Sequence, residues 1–504
     1  MSPQRPSAGA LTGRGLLARN TLWSLLGQAI PMVAAAVAVP ILLHALGTEA
    51  FGVLTLAWTV IGYFTLFDFG LGRALTRVVA EGLGGGDTAE LPGLVGTALI
   101  MLLALGVLGA LVLGIATPWV VQHALHVPVA LEQDTRGAFY LLAMSLPAVL
   151  VTAGLGGVLA AYQRFKALNL IRIPMSLLSF VLPMAVLPFT HGLAAIVSTL
   201  VAVRFVGTFA HLLVCVAVMP ELRGRFRWVS AVAASLLRSG GWLAVINLIM
   251  PLFVSLDRLL IGALTSVGAI AFYVPPQEIA TKLWILPGTL VSVLFPAFAT
   301  STRAHPDRLQ MLFRRGLSQV YCALFPLTMI LIVVGGDILG IWLGAAFRQN
   351  GQTVMQLLAV GAFFTGLSFI PSALIQAVGQ PRKVGVLLIA EMPLFLLGLW
   401  WGVRWAGTAG AALVWSVRAL VDLIVLMIMA APSMPDGRAV IRRAALPALG
   451  TLAVLGGAFA IRSLGLPIRL AILAAVLVPF AIWAAGPGLA EERRALRAAL
   501  DPRY

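Results

Sequence analysis

Eight ionisable residues stand in the middle of long apolar runs of this 504-residue sequence: Arg204, Asp257, Arg258, Glu278, Lys282, Glu391, Arg418 and Asp422. Asp68 and Asp337 stand near the ends of two such runs. A charge at the centre of a bilayer costs about 2.5–3.5 kcal/mol on insertion scales, so residues of this kind pair, line a polar path or bind a substrate. Arg204, Arg418, Arg258 and Lys282 are the candidates for holding an anion. A guanidinium offers phosphate two parallel N–H donors, a geometry that lysine lacks. Asp257, Glu278, Asp422, Glu391 and Asp68 are the candidates for carrying a coupling ion or for pairing with those bases.

Spacing separates them. Glu278 and Lys282 are four residues apart, as are Arg418 and Asp422, so each pair shares a helix face and can neutralise itself. Asp257 and Arg258 are adjacent, about 100° apart on a helix. That predicts one facing a cavity and the other a neighbouring helix. Arg204, between Val203 and Phe205, has no carboxylate within four residues. Cys215 and Cys322 lie in apolar stretches with no metal or disulfide spacing, so they read as small core residues and no metal site or cofactor is expected. His211 reads as a packed histidine, and Gly82 to Gly86 as a turn, because no strand precedes it as a phosphate loop requires.

The elements that hold these residues follow from composition. Of the residues, 60% are hydrophobic and 10% charged, and the mean hydropathy is +1.01. A soluble domain carries about a quarter charged residues, so this composition excludes one. The net charge of +16 comes in short basic bursts between apolar runs, which marks membrane topology rather than nucleic-acid binding. The runs are 21–43, 51–71, 94–120, 138–161, 168–189, 193–218 and 242–264, then 270–298, 317–343, 354–378, 384–403, 409–430, 444–461 and 468–485. Each is long enough to cross a hydrocarbon core of about 30 Å as a helix. Lipid cannot satisfy a bare backbone, and these runs lack the alternation of barrel strands. The fold class is therefore an all-α polytopic membrane protein of about fourteen transmembrane helices. The first run is too long for a cleavable signal.

Basic residues alternate between loops: 25 lie at the N-terminus, in every second loop and in the tail, against 5 in the intervening loops (Arg136, Arg348, Arg404, Arg462 and Arg469). This bias predicts cytoplasmic termini and an even helix number. The intervening loops are short. The largest offers only His123, His126, Glu132, Asp134 and Arg136, and the one near Gly344 to Gln352 holds Arg348 and no evident chemistry.

The chain also resembles itself. Leu141-Leu142-Ala143 with the helix ending Gln163-Arg164 aligns with Leu357-Leu358-Ala359 and the helix ending Gln380-Pro381-Arg382, and Gly192 to Arg204 aligns with Gly407 to Arg418. The organisation expected is a cytoplasmic N-terminus (1–20), six-helix lobes at 21–228 and 229–434 in parallel orientation, two further helices at 435–486 and a cytoplasmic tail (487–504). Parallel repeats of this kind are a transporter architecture with substrate held between the halves, and this one makes Arg204 and Arg418 equivalent positions.

Asp68-Phe69-Gly70-Leu71 after Leu46-Gly47 and Phe51-Gly52, then Ser255-Leu256-Asp257-Arg258 with Ile261-Gly262, resembles the openings of the two halves of polysaccharide exporters. Trp342-Leu343-Gly344, Pro371-Ser372-Ala373-Leu374 and Gly379-Gln380-Pro381-Arg382 continue the likeness. Together they resemble the oligosaccharide flippases of the multidrug/oligosaccharidyl-lipid/polysaccharide (MOP) exporter superfamily. The resemblance implies a V-shaped, MATE-like bundle in a bacterial cytoplasmic membrane, moving a lipid-linked oligosaccharide to the outer leaflet by alternating access. It implies as partners that lipid-linked sugar, membrane lipids, and a polysaccharide polymerase and glycosyltransferases, with no nucleic acid. A cation-coupled multidrug exporter and a flippase for lipid-linked peptidoglycan precursor are the alternatives. The first wants a carboxylate-rich pocket and the second, by resemblance, charge in helix 1, where this chain has no ionisable residue between Thr21 and Leu43. A membrane enzyme using the same lipid donor would need acidic or histidine groups on a substantial outer loop, which is lacking.

Overall fold

In the computed structural model the described parts of the apolar runs are helices, as they must be where no water can satisfy the backbone. The structure describes residues 14–64, 91–124, 128–162, 164–190, 192–223, 252–301 and 306–484, with a few isolated positions between these segments. Its helices, in order, are α1 (Arg14–Phe64), α2 (Leu91–Trp119), α3 (Val129–Ala161), α4 (Phe165–Val186), α5 (Leu193–Val218), α6 (Leu256–Leu264) and α7 (Val267–Lys282). Then come α8 (Ile285–Ser301), α9 (Pro306–Leu343), α10 (Ala345–Ala377), α11 (Pro381–Ala430), α12 (Gly437–Ala460) and α13 (Leu466–Trp483). Among the described residues, nine helical stretches are long and apolar enough to cross a membrane. Two of them contain a break, at Gly47 in α1 and at Ala406–Gly407 in α11, so each holds two of the expected spans. The full expected count of fourteen draws also on residues outside those described.

The chain packs as two units, residues 1–255 with 266–271, and residues 256–265 with 272–504. In the first, α3 is the central element and packs on α2 and α5, while α4 joins α1 and α5. Its core gathers Leu94, Leu99, Leu102, Leu150, Leu155, Val158 and Cys215, and the Cys215 thiol donates to the Leu155 carbonyl at 3.3 Å. Cys215 is thus the packed residue that the sequence suggests. Asp134 sits in the second turn of α3, and its Oδ2 accepts from the Leu193 amide at 2.9 Å, capping α5 from a neighbouring helix.

In the second unit α10 is central, packing on α9, α8 and α11. The last two helices lie against α9: the Tyr321 hydroxyl meets Thr451 at 2.9 Å, and the Phe325 and Phe480 rings are 4.6 Å apart.

Three expectations about the elements are corrected. The run 270–298 is two helices, α7 and α8, joined by a turn at 283–284. Pro287 explains the turn, since it has no N–H for the Leu283 carbonyl and its ring would crowd that group. The loop expected near Gly344 to Gln352 is a single residue. Gly344, at φ +98°, alone separates α9 from α10, a backbone state that a side chain would strain. Arg348 therefore stands in the first turn of a helix. Likewise Glu132, Asp134 and Arg136 belong to α3 rather than to a loop.

Candidate functional site

The ionisable residues of the second unit form three clusters. In the first, the nine-residue helix α6 presents Asp257 and Arg258, both buried, to α7. On α7, Tyr273 and Gln277 are one turn apart, with Glu278 next to Gln277. The Asp257 carboxylate accepts from Tyr273 Oη at 2.6 Å, Gln277 Nε2 at 2.7 Å and the Arg258 amide at 2.7 Å. Gln277 Oε1 in turn accepts from Arg258 Nε at 2.6 Å, and Glu278 takes Arg258 Nη2 at 2.9 Å. The Gln277 amide thus bridges the two charges, donating to the acid and accepting from the base.

This overturns the expectation that Asp257 and Arg258 part company. Their backbone directions differ, but the guanidinium is long enough to reach the helix that receives the short carboxylate. Arg258 is enclosed and engaged rather than open to an anion. Glu278 is shared between Arg258 and Lys282, the latter at 3.2 Å, so it does not serve Lys282 alone. Glu278 and Lys282 are the half-exposed end of the network.

The second cluster lies between the two arms of α11. Arg418 pairs with Glu391 of the other arm, Nη1 to Oε2 at 3.4 Å, with the Phe395 ring 5.8 Å from the guanidinium. The expected interaction of Arg418 with Asp422 along one helix is thus joined by an ion pair across the hairpin. Asp422 lies beside Ser368 of α10 and within electrostatic reach of Arg418. Glu391, Arg418 and Asp422 are all nearly enclosed. Two carboxylates share one guanidinium here, and Glu391 Oε1 and Asp422 Oδ1 have no hydrogen-bond partner among the described residues.

The third cluster was not read as a site. Arg469, assigned by charge alternation to an outer loop, is 3% exposed in α13. Its guanidinium meets Asp337 of α9 at 2.7 Å and donates to the carbonyls of Val333 and Leu464. Arg348 adds a second, exposed cation at 2.9 Å from Asp337. An arginine just inside the start of an otherwise apolar run was the signal available.

In the first unit, Arg204 lies on α5 within the stripe that includes Leu200, Gly207 and His211, all buried. Its Nε is enclosed and has no hydrogen-bond partner among the described residues, where it also makes no ion pair with a carboxylate. The Arg204 carbonyl accepts from Thr208, whose hydroxyl also meets Thr152 of α3 at 2.7 Å. His211 is buried with Nδ1 2.7 Å from the Gly207 carbonyl, as a packed histidine should be. Asp68 lies outside the described residues.

Among the described residues the arrangement offers no group of metal ligands. It offers a half-buried arginine with no acidic partner among the described residues, and a hairpin with one acid in excess.

A family model described as polysaccharide biosynthesis protein matches residues 17–302. A Shigella flexneri protein named "Putative O-antigen transporter" is 27% identical over 413 residues, 81% of this chain and 96% of that one. Among solved structures, a MOP superfamily transporter from Pyrococcus furiosus superposes with a TM-score of 0.61 at 15% identity, covering 85% of this chain and 98% of that one. An inward-facing multidrug resistance MATE family transporter of the same superfamily gives 0.63 at 15% identity over 81% and 97%. These two share the fold with this chain.

Proposed function

Since the chain belongs to the polysaccharide biosynthesis protein family, we propose that this multi-pass membrane protein is a flippase for a lipid-linked oligosaccharide. It takes its substrate from the cytoplasmic leaflet of a bacterial cytoplasmic membrane, with both termini cytoplasmic. It delivers it by alternating access to the outer leaflet for surface polysaccharide assembly. Glycosyltransferases supply that substrate and a polymerase consumes it.

One observation carries this reading: Arg204 is a bilayer-depth guanidinium with no acidic partner among the described residues. A half-buried cation with no acidic partner among the described residues is costly at that depth, and an anionic substrate offsets the cost each time it passes. A lipid-linked sugar carries its diphosphate where it must leave water, and a guanidinium fork matches two phosphate oxygens. Arg418, equivalent in the sequence repeat, is a second phosphate contact that Glu391 holds in reserve. The excess acid of the Glu391–Arg418–Asp422 cluster suits it to take up the coupling cation. Lys282, half exposed, adds positive charge where α7 ends.

The test is translocation of a lipid-linked oligosaccharide in proteoliposomes, with unfolding measured in detergent beside it. Arg204→Ala should abolish translocation and leave the protein folded. Arg204→Lys should restore only part of it, because charge returns without the fork. A folded Arg204→Ala protein that translocates at the normal rate would end this reading.

A further inference from the structure

One crossing is shared by α7 and α8, helices of 16 and 17 residues. The turn between them thus lies about 25 Å of helix from either end, deep in the membrane. Two charges stand open at that depth. Glu278 and Lys282, one turn apart at the end of α7, are each about half exposed. Lipid does not solvate charges, so the surface they share faces a polar path and not hydrocarbon. The pair has no net charge, and Arg258 also holds Glu278. It is therefore a poor anion site. It sets an acceptor beside a donor, which is what neighbouring hydroxyl groups need.

An aromatic ring follows two residues on. Trp284, in the turn itself, is partly exposed. Its Nε1 donates to the Ala362 carbonyl of α10 at 3.0 Å. Its indole stacks on Trp415 of α11, with centroids 5.8 Å apart and planes 21° apart. Trp415 is buried, and Gly361 makes the room for it: a Cβ there would fall 2.6 Å from the Trp415 ring. The Phe369 ring lies 6.3 Å from Trp284 on another side. Helices α10 and α11 thus fix the orientation of an indole that still reaches the surface. A bonded N–H and a stacked face are ordinary packing. The open part of the ring, in a turn that follows two membrane-depth charges, is not.

A sugar ring matches this surface. The C–H groups of one face of a pyranose lie on the electron-rich face of an indole. Its hydroxyls then donate to Glu278 and accept from Lys282. We propose that Trp284, with Glu278 and Lys282, is the contact for a sugar ring of the transported headgroup, separate from the guanidinium that takes the phosphate. This rests on the reading of the substrate as a lipid-linked oligosaccharide, and adds which side chains meet its carbohydrate.

The experiment uses the full chain in a neutral detergent and two probes. One is the lipid-linked oligosaccharide extracted from the organism's own membranes, and the other is the same polyprenyl diphosphate without sugar. Native mass spectrometry reads the ratio in which they are retained, so any contact with the diphosphate cancels. The wild type should favour the sugar-bearing lipid by at least about tenfold, because the bare lipid leaves the hydroxyl partners unmatched. Trp284→Leu keeps apolar bulk against Trp415 without a ring face and should lose most of that preference. Trp284→Phe should recover part of it. Lys282→Leu removes one hydrogen-bond donor and should lower the ratio about threefold or more. It alters an exposed side chain, so it decides the matter even if Trp284→Leu does not fold. A ratio unchanged in Lys282→Leu, or in a folded Trp284→Leu protein, would overturn the proposal. Equal retention of both probes by the wild type would also overturn it, and would leave the flippase reading standing on the diphosphate. Retention of neither would end both.

Discussion

Removing Arg469 should detach the last two helices from the rest of their unit. The guanidinium is almost wholly enclosed, and it neutralises Asp337 at 2.7 Å while capping two backbone carbonyls. Removing one member of a buried ion pair costs about 3–5 kcal/mol, because the partner is left charged and dry. Arg469→Ala leaves Asp337 with Arg348, which is exposed and returns part of that cost, so a loss of about 2–4 kcal/mol is expected. Asp337→Ala strands Arg469 with no carboxylate in this cluster and should reach the full range. Arg348→Ala removes a cation whose side chain is 55% exposed and should cost under about 1 kcal/mol. Another polar tie, Tyr321 to Thr451, is a neutral contact between helices, worth about 0.6 kcal/mol in membranes, so Tyr321→Phe should be nearly silent. Equilibrium unfolding in mixed non-ionic and anionic detergent micelles measures all four, and a double-mutant cycle isolates the Arg469–Asp337 coupling. An Arg469→Ala protein within about 1 kcal/mol of wild type, or a coupling near zero, would refute the clasp.

Three further outcomes follow from the packing. Gly410→Ala places a methyl inside the Gly402 carbonyl, so it should destabilise by about 1–3 kcal/mol or more in the same unfolding assay. Gln277→Leu removes the amide that bridges Asp257 and Arg258, leaving two buried groups each short of a bond, and should cost about 1–3 kcal/mol. Arg418→Ala should destabilise because Glu391 and Asp422 are then both uncompensated, and R418A/E391A should recover part of the loss; a double variant no more stable than Arg418→Ala would refute the cross-hairpin pair.

The sequence alone determined the class of the molecule and much of its layout. Apolar runs of spanning length in a chain with 10% charge admit few structures in lipid, and helices are the one that these patterns fit. The motifs from Asp68 to Arg382 pointed to the family that the comparison then showed. The sequence also singled out the charges that needed partners, since a charge in an apolar run stands out without any fold.

Tertiary structure decided who those partners are. Spacing along a helix offered Asp422 to Arg418, and the hairpin added Glu391, twenty-seven residues away in sequence. Angular separation parted Asp257 from Arg258, yet one glutamine on α7 gathers both. Arg469 counted as a loop cation because its run could begin one residue earlier or later. Only the packing of α13 on α9 puts it beside Asp337. The single-residue turn at Gly344 was hidden for a related reason: a helix that extends beyond hydrocarbon into water keeps its backbone bonds without needing apolar side chains. Hydropathy measures the cost of leaving water, residue by residue, and so it locates the membrane. Pairing depends on distances between helices that no local pattern contains.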